Sequence, residues 1–150
     1  MKRAVALCLA ALAALTAGLA VAVAKPEPPS LSPVPAAEVA LADLLWLKRP
    51  VIVFADSPND PAFQTQLRYL AEDPAELLKR DVVILTDTDP TAPSEARQKL
   101  RPRGFSMVLL EKNGEVMLRK PLPWSVREIA HAIDKFPLRQ QEIREERAGR

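Results

Sequence analysis

The chain has 150 residues, 48% hydrophobic and 27% charged, with a net charge of +2, 15 prolines, one histidine and one cysteine. That length suits one small domain, and one histidine excludes a multi-histidine metal centre. The cysteine, Cys8, lies in an N-terminal apolar segment read as removable; without it, disulfides, cysteine nucleophiles, Cys-ligated zinc and iron–sulfur clusters are all excluded.

Lys2 and Arg3 precede a stretch from Ala4 to Ala24 in which only Thr16 and Gly18 are not apolar, the pattern of an export signal. It ends on Ala22-Val23-Ala24, and the small side chains of Ala22 and Ala24 suit a signal peptidase, so cleavage before Lys25 is expected. The alternative is an uncleaved anchor just long enough to span a bilayer. The Ala-rich composition and Gly18 favour cleavage, and Leu7 before Cys8 argues against a lipoprotein signal. Cleavage leaves 126 residues, about 41% apolar, with 19 basic and 19 acidic side chains. No basic excess then argues for nucleic acid or anionic lipid. The expected location is periplasmic or secreted, with membrane contact only through an uncleaved signal.

Five prolines between Lys25 and Pro35 predict an extended spacer. Ala36 to Leu47 predicts a short helix, with Trp46 packed against the domain. Val51 to Ala55 is β-branched and too short for a helix, so it predicts a buried strand. A loop from Asp56 to Pro61 follows, and two caps compete for the next helix: Ser57 with Pro58 first, or Asp60 with Pro61 first. That helix carries Phe63, Leu67 and Leu70 on one face. A second helical piece after Pro74 carries Leu77 and Leu78. Val82 to Leu85 is the second strand, Asp87 to Pro93 a polar loop, and Ser94 to Leu100 a helix of about two turns. Met107 to Glu111 and Glu115 to Arg119 are strands joined at Asn113-Gly114, a strong hairpin signal. Trp124 to Phe136 has helical spacing, with Ser125 and Glu128 placed for a capping box. The tail from Pro137 is a solvated helix or a frayed end. The order β-α-β-α-β-β-α predicts an α/β fold with a four-stranded mixed sheet flanked by helices, the thioredoxin-like arrangement.

Arg103 to Val116 resembles the thioredoxin segment entering the third core strand and its hairpin, and Val51 to Pro61 resembles the first core strand and active-site loop. More closely, Leu44 to Glu142 resembles an exported bacterial family of thioredoxin-like domains of unknown function, numbered four-one-seven-four. The resemblance is carried by Lys48 to Ala55, Arg80-Asp81-Val82-Val83, Lys112-Asn113-Gly114 and Ile133 to Arg139. It implies a relation to domains in eukaryotic extracellular proteins with sushi repeats. Where the redox cysteine pair would fall stands Pro58-Asn59-Asp60-Pro61, and where the cis-proline would fall stands Ser106. Once the signal is cleaved, thiol–disulfide exchange is excluded.

In this topology Asp56, Ser57, Asn59 and Asp60 follow the first strand, while Arg101, Arg103 and Ser106 reach the same edge from the third, making a ligand cleft. Asp56, Asp60, Asp87 and Asp89 are candidate oxygen ligands for Ca²⁺ or Mg²⁺. The favoured reading is that they are turn and capping aspartates. An anion site pairing the helix start after Ser57 with Arg101 or Arg103 is a further reading. A hydrolase has little support, because the only histidine, His131, lies in the last predicted helix. Trp46 and Trp124 read as core or rim aromatics. No catalytic residue and no cofactor are expected. The leading expectation is a non-catalytic exported domain that binds an envelope protein or a small ligand. The alternatives are a thiol-independent or metal-binding enzyme, and a structural envelope protein anchored by its signal.

Overall fold

The computed structural model describes residues 30–149. The expected export signal and cleavage site, with Cys8, Ala22, Ala24 and Lys25, lie outside the described residues. Five strands form one sheet: β1 (Val34–Pro35), β2 (Arg49–Phe54), β3 (Val82–Asp87), β4 (Ser106–Leu110) and β5 (Val116–Lys120). Their spatial order is β1-β3-β2-β4-β5. The helices are α1 (Pro61–Glu72), α2 (Pro74–Leu78), α3 (Glu95–Leu100), α4 (Val126–Ile133) and α5 (Pro137–Ala148).

β2 is the sheet's centre, and all six of its residues are buried. Side chains alternate across a strand. Val51, Val53 and the following Ala55 therefore meet Phe63, Leu70, Leu77, Ile129 and Ile133 on the α1, α2 and α4 face. Ile52 and Phe54 meet Ala36, Leu41, Ala96 and Leu100 on the α3 face. A β-branched run without polar alternation is what a strand covered on both faces requires. β3 pairs parallel with β2 and β4 antiparallel with it, as the chain order predicts.

Three expectations are corrected. The sheet has five strands rather than four, because the end of the proline spacer joins the outer side of β3, with Val34 opposite Leu85 and Pro35 opposite Thr86. A proline costs no ladder bond on an edge, so the spacer's composition hides this strand. The predicted helix over Ala36 to Leu47 is two 3₁₀ turns, Ala36–Glu38 and Leu41–Leu44. Only Ala36 and Leu41 are buried there, an apolar stripe too narrow to hold a longer helix on the domain. Trp46 is not packed: it is 66% exposed at φ +64°, where its amide donates to the Lys112 carbonyl at 2.7 Å. A bulky side chain at positive φ costs on the order of 1–3 kcal/mol, which that bond and the neighbouring turn must offset.

Of the competing caps for α1, Asp60 wins, its Oδ1 accepting from the Ala62 and Phe63 amides at 2.8 and 3.0 Å with Pro61 at the first helical position. The Ser125–Glu128 capping box on α4 forms as expected. The charged tail is a helix with no buried residue.

Candidate functional site

At the C-terminal ends of β2 and β3 the expected cleft separates into two parts. The first is a buried polar brace. Asp87 is 8% exposed and accepts from Arg97 Nε at 2.8 Å and from Ser94 Oγ at 2.5 Å. The same guanidinium donates to the Ala55 and Asp87 carbonyls at 2.8 and 3.1 Å and lies 5.5 Å from the Phe54 ring centroid. Ser94 also caps α3, accepting from the Arg97 amide at 3.0 Å. One arginine thus ties α3 to the ends of β2 and β3. Arg97 and Ser94 are absent from the predicted site; the signal that could have found them is an arginine three residues after a helix cap, one turn above a strand-end aspartate.

The aspartates do not gather around a cation. Asp60 caps α1, Asp87 is held by Arg97 and Ser94, and Asp89 accepts from the Thr91 hydroxyl and amide at 2.6 and 2.8 Å. The Thr91 hydroxyl, with the Thr91 and Ala92 amides, holds the Asp89 carboxyl below its ordinary value. Asp56 is exposed and approaches Arg97 only at 3.9 Å. Among the described residues, no group of three or more histidines, cysteines, aspartates or glutamates is arranged to hold a metal ion. The favoured turn-and-cap reading therefore describes Asp60 and Asp89, and the four-aspartate cation set is corrected. Ser57 Oγ accepts from the Asn59 amide at 3.2 Å, an ordinary turn contact.

The second part is an open recess of about 400 Å³ lined by Arg101, Arg103, Phe105, Ser106, Arg119 and Pro121. It unites three of the predicted cleft residues. Asp56, Ser57, Asn59 and Asp60 are not in its lining, although Ser106 stands opposite Phe54 at the same sheet edge. Arg101 ends α3 in the left-handed region at φ 47°, turning the chain toward β4. Arg119, on β5, donates to the Leu100 carbonyl at 2.9 Å. It is the residue the sequence missed, and a bulge explains why. Near the hairpin, Leu110 faces Val116 and Glu111 pairs with Glu115; continued evenly, that register would place Arg119 opposite Met107. The register instead shifts between Leu109 and Leu110, putting Arg119 opposite Val108 and so on the α3 face with Ser106.

The opposite end of the sheet holds a buried ion cluster. Arg49 is 0% exposed; its Nε meets Glu111 Oε1 at 2.6 Å, its Nη1 donates to the Arg80 carbonyl at 3.0 Å, and its Nη2 meets Glu142 Oε1 at 3.0 Å. Lys112 Nζ bridges Asp81 and Glu142 at 2.7 and 2.8 Å, Arg139 meets Glu142 at 3.1 Å, and Arg80 meets Asp134 at 2.6 Å. All four motif stretches of the family resemblance contribute to it. They fasten α5, which has no buried residue of its own, onto the domain. Burial pushes the Glu142 carboxyl up, but hydrogen bonds from Arg49, Lys112 and Arg139 outweigh it and hold the group at about 2, against an ordinary 4.5. A depressed carboxyl stabilises the fold above its unfolded value and loses that contribution as pH falls through its folded one. Urea titrations should therefore show stability falling between about pH 4.5 and pH 2, on the order of 2–3 kcal/mol, with Glu142→Gln removing much of that slope.

The family described as "Domain of unknown function (DUF4174)" matches residues 40–142. A solved structure of chloroplastic thioredoxin z is similar at TM-score 0.52 and 19% identity, over 73% of this chain and 96% of that one. Plasmodium yoelii thioredoxin peroxidase I is similar at TM-score 0.49 and 19% identity, over 64% and 76%. No curated protein matches. The likeness to thioredoxin z shows a thioredoxin-like α/β fold and no more.

Proposed function

The chain belongs to the DUF4174 family of domains of unknown function, and on its thioredoxin-like frame we propose a non-catalytic binding domain of the cell envelope. Its N-terminal segment directs export, and the partner is an envelope protein or a small ligand. The binding edge is the end of β4 with the start of the chain after α3, where Arg101, Arg103 and Ser106 lie together. The observation that carries this reading is an exchange of chemistry at one edge. No cysteine occurs among residues 30–149, Pro58-Asn59-Asp60-Pro61 occupies the redox loop, and beside it arginines line an open recess. A thiol exchange needs an attacking thiolate, while exposed guanidiniums supply recognition. Of the four candidate aspartates, Asp60, Asp89 and Asp87 are committed to a cap, a turn and the Arg97 brace. Fold alone does not decide function, so the reading rests on the edge itself.

Native mass spectrometry of the chain purified from the envelope of its own cells tests this. The expected species begins at Lys25 and carries a bound mass that Arg101→Ala/Arg103→Ala loses while remaining folded. A bound mass unaffected by that variant overturns the edge assignment, and a chain starting at Met1 overturns the cleaved form in favour of an anchored one.

A further inference from the structure

The geometry points to the recess between α3, β4 and β5 as a site for a phosphate-type dianion on a small molecule, held by Arg101, Arg103 and Arg119 over the Ser106 hydroxyl. This deepens the binding-edge reading and rests on it. Three arginines line one opening of about 400 Å³, and no acidic residue does. Among the described residues none of the three forms an ion pair; Arg68, Arg127, Arg144 and Arg147 form none either, and what sets the three apart is that they line one opening. Three cations gathered without a counter-charge repel one another, and an anion entering the recess relieves that repulsion.

Ser106 adds a neutral donor. It is 6% exposed and lines the recess, and its hydroxyl can donate to a ligand oxygen there. The register shift that carries Arg119 to this face completes the third side. A planar carboxylate is satisfied by one guanidinium fork; a tetrahedral dianion offers oxygens in several directions and uses three forks and a hydroxyl together. Phe105 and Pro121 give the remaining wall an apolar surface, which suits a phosphate ester carrying a ring better than the bare ion.

Calorimetric titration of the mature chain at low ionic strength tests the inference with phenyl phosphate, inorganic phosphate and benzoate. Phenyl phosphate should bind saturably, be displaced by inorganic phosphate, and exceed benzoate by about tenfold. Arg101→Ala, Arg103→Ala and Arg119→Ala should each weaken it by about tenfold, while Arg144→Ala on α5 leaves it within about twofold. Ser106→Ala, which keeps the strand and removes only the hydroxyl, should weaken it as well. Equal weakening by Arg144→Ala, or equal affinity for benzoate, overturns the site. Pelleting with phosphatidic acid vesicles in the absence of saturable phenyl phosphate binding overturns a small-molecule ligand in favour of a lipid surface. If phenyl phosphate fails while the envelope-derived mass still depends on Arg101 and Arg103, the ligand class is wrong and the binding edge stands.

Discussion

Replacing Arg49 by methionine is expected to destabilise the domain by about 3–5 kcal/mol, read as a lowered urea midpoint with an unchanged fold class by circular dichroism. The cost comes from what the arginine leaves behind. Glu111 is 2% exposed, its Oε1 is held by Arg49, and its Oε2 is buried with no hydrogen-bond partner already. Without the guanidinium a buried carboxylate faces the interior with only the Lys112 amide on it. Glu142 loses two bonds at the same time, and α5 depends on Glu142. Hydrogen exchange should therefore show Pro137–Ala148 released before the sheet opens. The double variant Arg49→Met/Glu111→Leu should recover most of the loss, because a buried pair replaced whole by apolar groups costs far less than one broken. A double variant as unstable as the single one would mean that α5 attachment, and not the orphaned Glu111, sets the cost.

Asp87→Ala should cost about 3 kcal/mol and should act at a distance on the recess. It strips Arg97 of its carboxylate and Ser94 of its hydroxyl acceptor at the point where α3 is tied to β2 and β3. Arg101 follows α3 directly, and Arg119 bonds to the last carbonyl of that helix. Loosening α3 thus disturbs two of the three recess arginines without touching either. Hydrogen exchange should quicken at Glu95–Arg101 and Ala55–Asp60 while β4 stays protected. Arg68→Ala, an exposed change on α1 outside this brace, should leave both segments as they are.

The architecture was legible where residue patterns report directly on burial. Val51 to Ala55 and Val82 to Leu85 are apolar without alternation, and Asn113-Gly114 marks the hairpin, with Gly114 at φ +85°. The edge was legible too: chain order alone brought Arg101, Arg103 and Ser106 together. What stayed hidden depended on contacts remote in sequence. β1 is two residues of a proline-rich stretch, and only its pairing with β3 makes it a strand. Arg49, directly before an apolar run, looks like a strand-end charge turned to water, yet it is wholly buried because Glu111 and Glu142 arrive from 62 and 93 residues away. Trp46 reads as core and is displayed outward because the Lys112 carbonyl captures its amide. Arg119 changes face through one bulged position that no propensity marks.

We propose that this thioredoxin-like domain binds a ligand at the arginine-lined edge and uses the opposite end for stability alone. Amide-resolved NMR of the mature chain titrated with phenyl phosphate tests it most directly. Saturable shifts are expected at Arg101, Arg103 to Ser106, Arg119 and Lys120, with Arg49, Glu111 and Lys112 unmoved. Shifts centred on the Arg49–Glu142 cluster, or spread over every exposed arginine, would contradict it.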